Sequence, residues 1–225
     1  MEPTIYKPSI YNGAGIYKTG AEGGGGGGGG DLPEGYKQCS FLEFVGNTQN
    51  IVFSGTKDLG LKSTDTLIIE GEAAGDSSGW TYDLIFIIFQ YSQSNRGYYY
   101  RYNQNENRTL FDGLAQRVDF NNQHVTYFVL KKTNNDVLDV NGTTVSGDSW
   151  ASGDTIPIKV IFENGNGRYT GTKIRYMKFL EKDTNKVKAN FIPVIKNSTQ
   201  HILYESISGW EIPLDTSHFM CKYPI

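Results

Sequence analysis

Eight consecutive glycines, Gly23 to Gly30, constrain this chain more than any other feature. Glycine loses more backbone entropy on folding than any other residue, so such a run gains nothing by becoming ordered alone. As a free coil it spans about 15 Å by square-root scaling. It decouples the segment before it from everything after it. Phosphate-binding glycine loops follow a strand, open a helix and carry a Lys-Ser/Thr pair. None of these accompanies the run, which argues against a nucleotide loop.

The segment ahead of the glycines has its own pattern. Residues 5–19 read IYKPSIYNGAGIYKT, in which an Ile-Tyr unit occurs three times: Ile5-Tyr6, Ile10-Tyr11 and Ile16-Tyr17. Pro8, Gly13 and Gly15 break any regular element between the copies. So short a stretch cannot bury an apolar face by itself. Its Ile and Tyr side chains are nevertheless too adhesive for an idle tail. The reading they favour is an arm that becomes ordered against another protein; the alternative is a strand that packs back on its own domain.

From Tyr36 onward the pattern is all-β. Segments of period two, or continuous runs of strand formers, recur at short intervals between turn residues. They predict strands over 41–45, 50–54, 65–72, 80–91, 96–103, 125–132, 136–140, 156–163, 169–180 and 187–195. Turn signals include Asn141-Gly142, Asn164-Gly165-Asn166-Gly167 and Asp183-Thr184-Asn185. No long window keeps a 3.6-residue period. So many strands in roughly 190 residues imply a two-sheet antiparallel sandwich around one core. The run Leu84-Ile85-Phe86-Ile87-Ile88-Phe89 is apolar on both faces, as expected of a middle strand buried between layers. At six residues it is far too short to span a bilayer. The division expected is an arm (1–22), a glycine-rich linker (23–35) and a β domain (36–225).

Composition removes other classes. With 21 Lys and Arg against 24 Asp and Glu, the chain has a formal charge of -3, so there is no basic footprint for nucleic acid. Met1-Glu2-Pro3-Thr4 lacks the cationic start and apolar stretch of a secretory signal. Cys39 and Cys221 form neither a zinc pattern nor a disulfide framework. They read as free, half-buried thiols that could meet only if the terminal strands are neighbours.

One stretch has a family likeness. Residues 35–55, GYKQCSFLEFVGNTQNIVFSG, resemble the opening of concanavalin-like, laminin-G-type jelly rolls found in tail and fibre proteins of bacteriophages of gut bacteria. Leu42-Glu43-Phe44-Val45, Thr48-Gln49 and Ile51 fill the corresponding slots, with Gly46-Asn47 in place of the usual Ser-Thr-Gly turn. Asp139-Val140-Asn141-Gly142 resembles the family's Asn-Gly hairpin. Gly171 to Phe179, Asn190-Phe191-Ile192-Pro193 and Leu203 to Trp210 resemble its closing motifs, in order. The likeness covers about residues 36–215. It implies a non-enzymatic virion protein on the surface of a phage head or tail: a head or tail fibre, or a capsid decoration protein. Ile5, Tyr6, Ile10, Tyr11, Ile16 and Tyr17 would anchor the arm to capsid or tail proteins. A jelly-roll knob, commonly trimeric, would project outward and in some relatives bind host-surface glycans. The competing reading is a carbohydrate-binding module or a bacterial surface lectin.

Each chemical alternative has a plainer counterpart. Glu70-Gly71-Glu72 is the only close pair of carboxylates on one strand face that could serve glycoside cleavage; a solvated strand end explains it as well. His124, His201 and His218 lack a nucleophile elbow and read as structural or surface residues, so no catalytic residue is assigned. Asp112, Asp119, Asn121, Asp136, Asp139 and Asn141 supply oxygens but no alternating acidic loop, so no metal or other cofactor is expected. In Gly97-Tyr98-Tyr99-Tyr100-Arg101-Tyr102, alternate residues must point inward. Either Tyr99 and Arg101 face out, or Tyr98, Tyr100 and Tyr102 do. Outward tyrosines, with Trp80 and Trp150 on a rim, would meet a glycan or a neighbouring subunit.

Overall fold

The computed structural model describes residues 32–75, 83–91, 94–113, 116–133, 137–146 and 155–223. The Ile-Tyr arm, the glycine run, Trp80, Asp136 and Trp150 lie outside the described residues.

Seventeen strands are described. They are β1 (Tyr36–Gln38), β2 (Phe41–Phe44), β3 (Asn50–Lys57), β4 (Thr66–Glu72), β5 (Leu84–Tyr91) and β6 (Ser94–Asn103). Then come β7 (Arg108–Gly113), β8 (Gln116–Phe120), β9 (Tyr127–Lys132), β10 (Val137–Val140), β11 (Thr143–Ser146) and β12 (Ile158–Asn164). The last are β13 (Lys173–Leu180), β14 (Val187–Lys196), β15 (Gln200–Glu205), β16 (Trp210–Pro213) and β17 (Phe219–Lys222). The only described helical element is the single 3-10 turn Gly165–Gly167. No described helix is long and apolar enough to cross a membrane.

The strands form two sheets. The larger runs β11-β10-β9-β4-β13-β14-β15-β16, and the smaller β3-β12-β5-β6-β7-β8. The chain moves between them repeatedly: β3, β5 to β8 and β12 lie in the smaller sheet, and the strands between them return to the larger. The pairings of named strands are antiparallel. The molecule is thus the two-sheet all-β sandwich its periodicity predicts.

The core follows from which face each strand turns inward. Phe86 of β5, Tyr100 of β6 and Phe111 of β7 in the smaller sheet meet Phe128 of β9 in the larger. The Phe86–Phe128 and Phe111–Phe128 centroids are 5.0 and 5.4 Å apart. Such rings each bury large apolar areas and add about 0.5–1.5 kcal/mol per well-placed pair. One side of the sandwich is closed where Phe53 of β3 meets Trp210 of β16 edge-on at 4.8 Å. On the opposite side β8 lies against β10 and β11.

The expectation for β5 changes in one respect. The strand lies between β12 and β6, but a bulge between Ile85 and Ile87 shifts its phase. Phe86 and Ile87 are therefore both buried in sequence, while Ile85 and Ile88 are only half-covered. An apolar run that looks two-sided is a one-sided strand with a register shift. Phe162, in the facing stretch of β12, has φ +43°, a left-handed conformation that costs a non-glycine residue about 1–3 kcal/mol. Its ring is fully buried and packs 6.2 Å from Phe44.

The turn signals are realised. Asn141 and Gly142 both have positive φ (52° and 86°), as a two-residue hairpin between β10 and β11 requires. Gly167 (φ +72°) approaches the Asn47 carbonyl so closely that a Cβ there would collide with it.

Glu205, fully buried at the end of β15, is held by three backbone N–H donors. Asn190 and Ile207 donate to Oε1 at 2.8 and 3.0 Å, and Ser208 donates to Oε2 at 2.6 Å. The carboxylate thus fastens the β15–β16 turn to β14. Glu205→Ala would leave these donors unpaired and should cost about 3 kcal/mol, read as a lower urea midpoint. A loss under about 0.5 kcal/mol would show that water replaces the carboxylate freely.

Candidate functional site

The arm joins the body at residues 32–38, and this junction is built with more care than a three-residue strand needs. Along β14, Phe191 faces the main core, while Ile192 and Val194 face the other side. With Ile202 and Tyr204 of β15 they form a second, smaller apolar cluster on the outer surface of the larger sheet. Leu32 and Tyr36 pack against it. β1 runs antiparallel to β14, with Tyr36 opposite Lys196 and Gln38 opposite Val194.

A polar clasp completes the junction. The Tyr36 hydroxyl donates to Glu211 Oε1, and Lys196 Nζ donates to both Glu211 oxygens at 3.0 Å. The same ammonium lies 5.2 Å over the Tyr36 ring, which packs 5.3 Å from Tyr204. Hydrogen bonds from Tyr36 and then Lys196 hold the Glu211 carboxyl below its usual range. The Lys196 ammonium is favoured by Tyr36 and then Glu211. Tyr36 and Glu211 are 175 positions apart, so no local pattern announces the clasp.

The tyrosine strip resolves against the glycan or interface assignment. Tyr98, Tyr100 and Tyr102 of β6 are 1%, 0% and 9% exposed and belong to the main core, because that face of the smaller sheet meets the larger one. The Tyr100 hydroxyl donates to the Val125 carbonyl at 3.2 Å, and burial pushes its pKa up. These three tyrosines therefore present no outer surface to a ligand. Tyr99 and Arg101 are the outward pair. Arg101 bridges both oxygens of Asp83, and burial, then Asp83 and Asp112, raise the Tyr99 pKa. Trp80 and Trp150 fall outside the described residues.

The carboxylate pair is drawn into an ion-pair ladder on the outer face of the larger sheet. Arg175, the bulged residue of β13, reaches Glu70 at 3.4 Å and Glu72 at 2.8 Å. Lys173 lies 3.6 Å from Glu72, and the Tyr127 hydroxyl donates to Glu70 at 3.3 Å. A glycosidase needs one carboxyl that donates a proton and one that stays charged. Both carboxylates are instead tied to one guanidinium as ion pairs. Tyr127, 48% exposed, lies beside this ladder.

The histidines are tied into structure. His124 stacks on Tyr102 at 3.7 Å, and His218 lies 3.8 Å from Asp215. Asp112 and Asp119 pair with Arg117 and Arg108. No three His, Cys, Asp or Glu residues come together as a metal-ligand group among the described residues. The thiols are fully buried, at 3% and 2% exposure, and not half-buried as expected. The terminal strands are neighbours, and the two thiols lie close enough to influence each other's ionisation.

No family model matches the chain, and neither a curated protein nor a solved structure matches it.

His201 supplies a pH-dependent element close to the junction. Its Nδ1 accepts the Cys221 N–H at 2.9 Å, joining β15 to β17. Burial, then the charge of Lys222, hold its pKa below the ordinary 6.5. The fold thus favours neutral His201, so its stabilising contribution is full above pH 6.5 or so and is lost as pH falls through the lower folded value. Melting temperature should fall between about pH 7 and pH 5. It should fall less in His201→Asn, which keeps a non-titrating acceptor. Identical slopes in the two proteins would remove His201 from the explanation.

Proposed function

We propose that this protein is a non-enzymatic virion component of a bacteriophage, a head or tail fibre or a decoration protein. Residues 1–22 anchor it to capsid or tail proteins, the glycine run of the 23–35 linker acts as a hinge while the linker's last residues, from Leu32, are packed on the body, and the sandwich is the displayed knob. One observation carries the reading. An arm of three Ile-Tyr units is set off by eight glycines, and the chain is clasped into a sandwich only six positions after Gly30. The ordered resemblance of residues 36–215 to phage jelly-roll proteins supports the same conclusion.

The mechanism is associative. Docking adds the apolar arm side chains, or a strand, to a host surface. If knobs assemble as trimers, three arms on one particle multiply weak contacts through effective concentration. The clasp of Tyr36, Lys196 and Glu211 transmits tension from the arm to β14 and β16 and not to the hinge alone.

A chain lacking residues 1–22 should lose co-sedimentation with virions that lack their own copy, while keeping the circular dichroism spectrum and melting temperature of the full chain. Undiminished binding by the truncated chain would refute anchoring by the arm.

A second reading, a carbohydrate-binding module or surface lectin, is favoured by the exposed Tyr127 beside Glu70 and Arg175. Aromatic faces stack on sugar rings, and neighbouring polar groups fix their orientation. On this reading Tyr127→Ala should reduce retention on host-surface polysaccharide at least tenfold. Unchanged retention would exclude the Tyr127 surface.

A further inference from the structure

The first and last strands of the body meet at its two cysteines. Cys39 links β1 to β2, and Cys221 lies in β17. β2 and β17 are antiparallel, with Leu42 opposite Cys221 and Phe41 opposite Lys222. The Ser40 N–H donates to the Lys222 carbonyl at 2.9 Å, and the Cys39 N–H to the Pro193 carbonyl at 2.9 Å. Both sulfurs are thereby brought over the β14–β15 pair. The Cys221 thiol lies 3.5 Å from the Ile202 carbonyl, and Ile202 pairs with Val194. The Cys39 thiol lies 3.9 Å from the Lys37 carbonyl, and Lys37 pairs with Ile195. Both thiols are free and buried, and each lies close enough to shift the other's ionisation.

We propose that Cys39 and Cys221 are a latent disulfide site, which a small-molecule disulfide converts to an intrachain bond joining the first and last strands of the body. The inference does not depend on what the arm binds. Burial alone would make these thiols inert. Their proximity makes them unequal. The Cys221 S–H donor, opposed by burial and helped by the Tyr223 hydroxyl, favours the Cys39 thiolate. The Cys39 sulfur and burial disfavour ionisation of Cys221. Cys39 is thus the attacking sulfur and Cys221 the resolving one. Access lies under Tyr223, which is one residue past β17 and 46% exposed. On this proposal Tyr223, whose hydroxyl acts on Cys39, is the side chain that moves aside to admit the reagent.

The chemistry balances as ordinary thiol–disulfide exchange. The Cys39 thiolate attacks one sulfur of the reagent, whose S–S bond breaks, and one thiolate leaves and takes up a proton. Cys221 gives its proton to water and attacks the Cys39 sulfur, expelling the second thiolate. Two protein thiols lose two electrons and two protons, and one small disulfide becomes two small thiols. The new bond closes almost the whole body into one loop, the case in which a cross-link most restricts the unfolded chain. It also prevents β2 from peeling away from β17.

The test uses the full chain, reduced, freed of reductant and incubated with oxidised glutathione under native conditions. The expected product is a monomer two hydrogens lighter, in which peptide mapping joins the Cys39 and Cys221 fragments. Its melting temperature should rise by on the order of 10 °C and return on reduction. Cys221→Ser should stop at a stable glutathione adduct on Cys39, and Cys39→Ser should remain unmodified. Both variants are to be checked for a wild-type circular dichroism spectrum; the wild-type peptide map tests the bond whether or not they fold. A lasting adduct on the wild type, a cross-linked dimer, or thiols that react only in denaturant would each overturn the proposal.

Discussion

The body depends on a wedge in its larger sheet. β13 and β14 are paired from Met177 to Leu180, then part, and the chain's opening strands fill the gap. β1 completes the ladder of β14, and β2 completes that of β13. β17 then covers the free edge of β2. The start and end of the domain thus join one sheet, and β2, with β13 on one side and β17 on the other, keeps no free edge that could template other chains. The tyrosine clasp, the His201 bond to β17 and the thiol pair all lie at this wedge.

This arrangement gives the proposed function its physical basis. A tether is only as useful as its attachment to what it carries. The strand that follows the glycine run is bonded along β14, packed on a small cluster of its own and clasped by Glu211. The exposed face of the larger sheet is a ladder of compensating charges around Arg175, consistent with a surface displayed to solvent. Isolated surface pairs of this kind contribute about 0–1 kcal/mol each, so they shape the face more than they stabilise it.

Much of the fold was legible in the sequence, for reasons particular residues make clear. Strands such as β4 and β9 alternate because one face meets the core, and β13 does so on either side of its bulge at Arg175. β7 and β8 escaped because Arg108, Asp112, Arg117 and Asp119 break the apolar pattern; in the structure these charges pair across the two strands on their outer face. β15 to β17 are short and separated by tight turns, and Glu205, a buried carboxylate, resembles a loop residue until its three donors are seen. The direction of the Tyr98–Tyr102 strip was undecidable because both alternatives put aromatics inside. The clasp and the cysteine pair join residues far apart in sequence, and only the assembled wedge brings them together.

The central claim is that the sandwich is self-sufficient and that the arm's apolar side chains are reserved for another surface. Comparing the thermal unfolding of the full chain with that of residues 32–225 tests it most directly. The account predicts midpoints within about 2 °C of each other. A fall of more than about 5 °C on removing the first thirty-one residues would mean that the Ile-Tyr units complete the body's own core, and would contradict it.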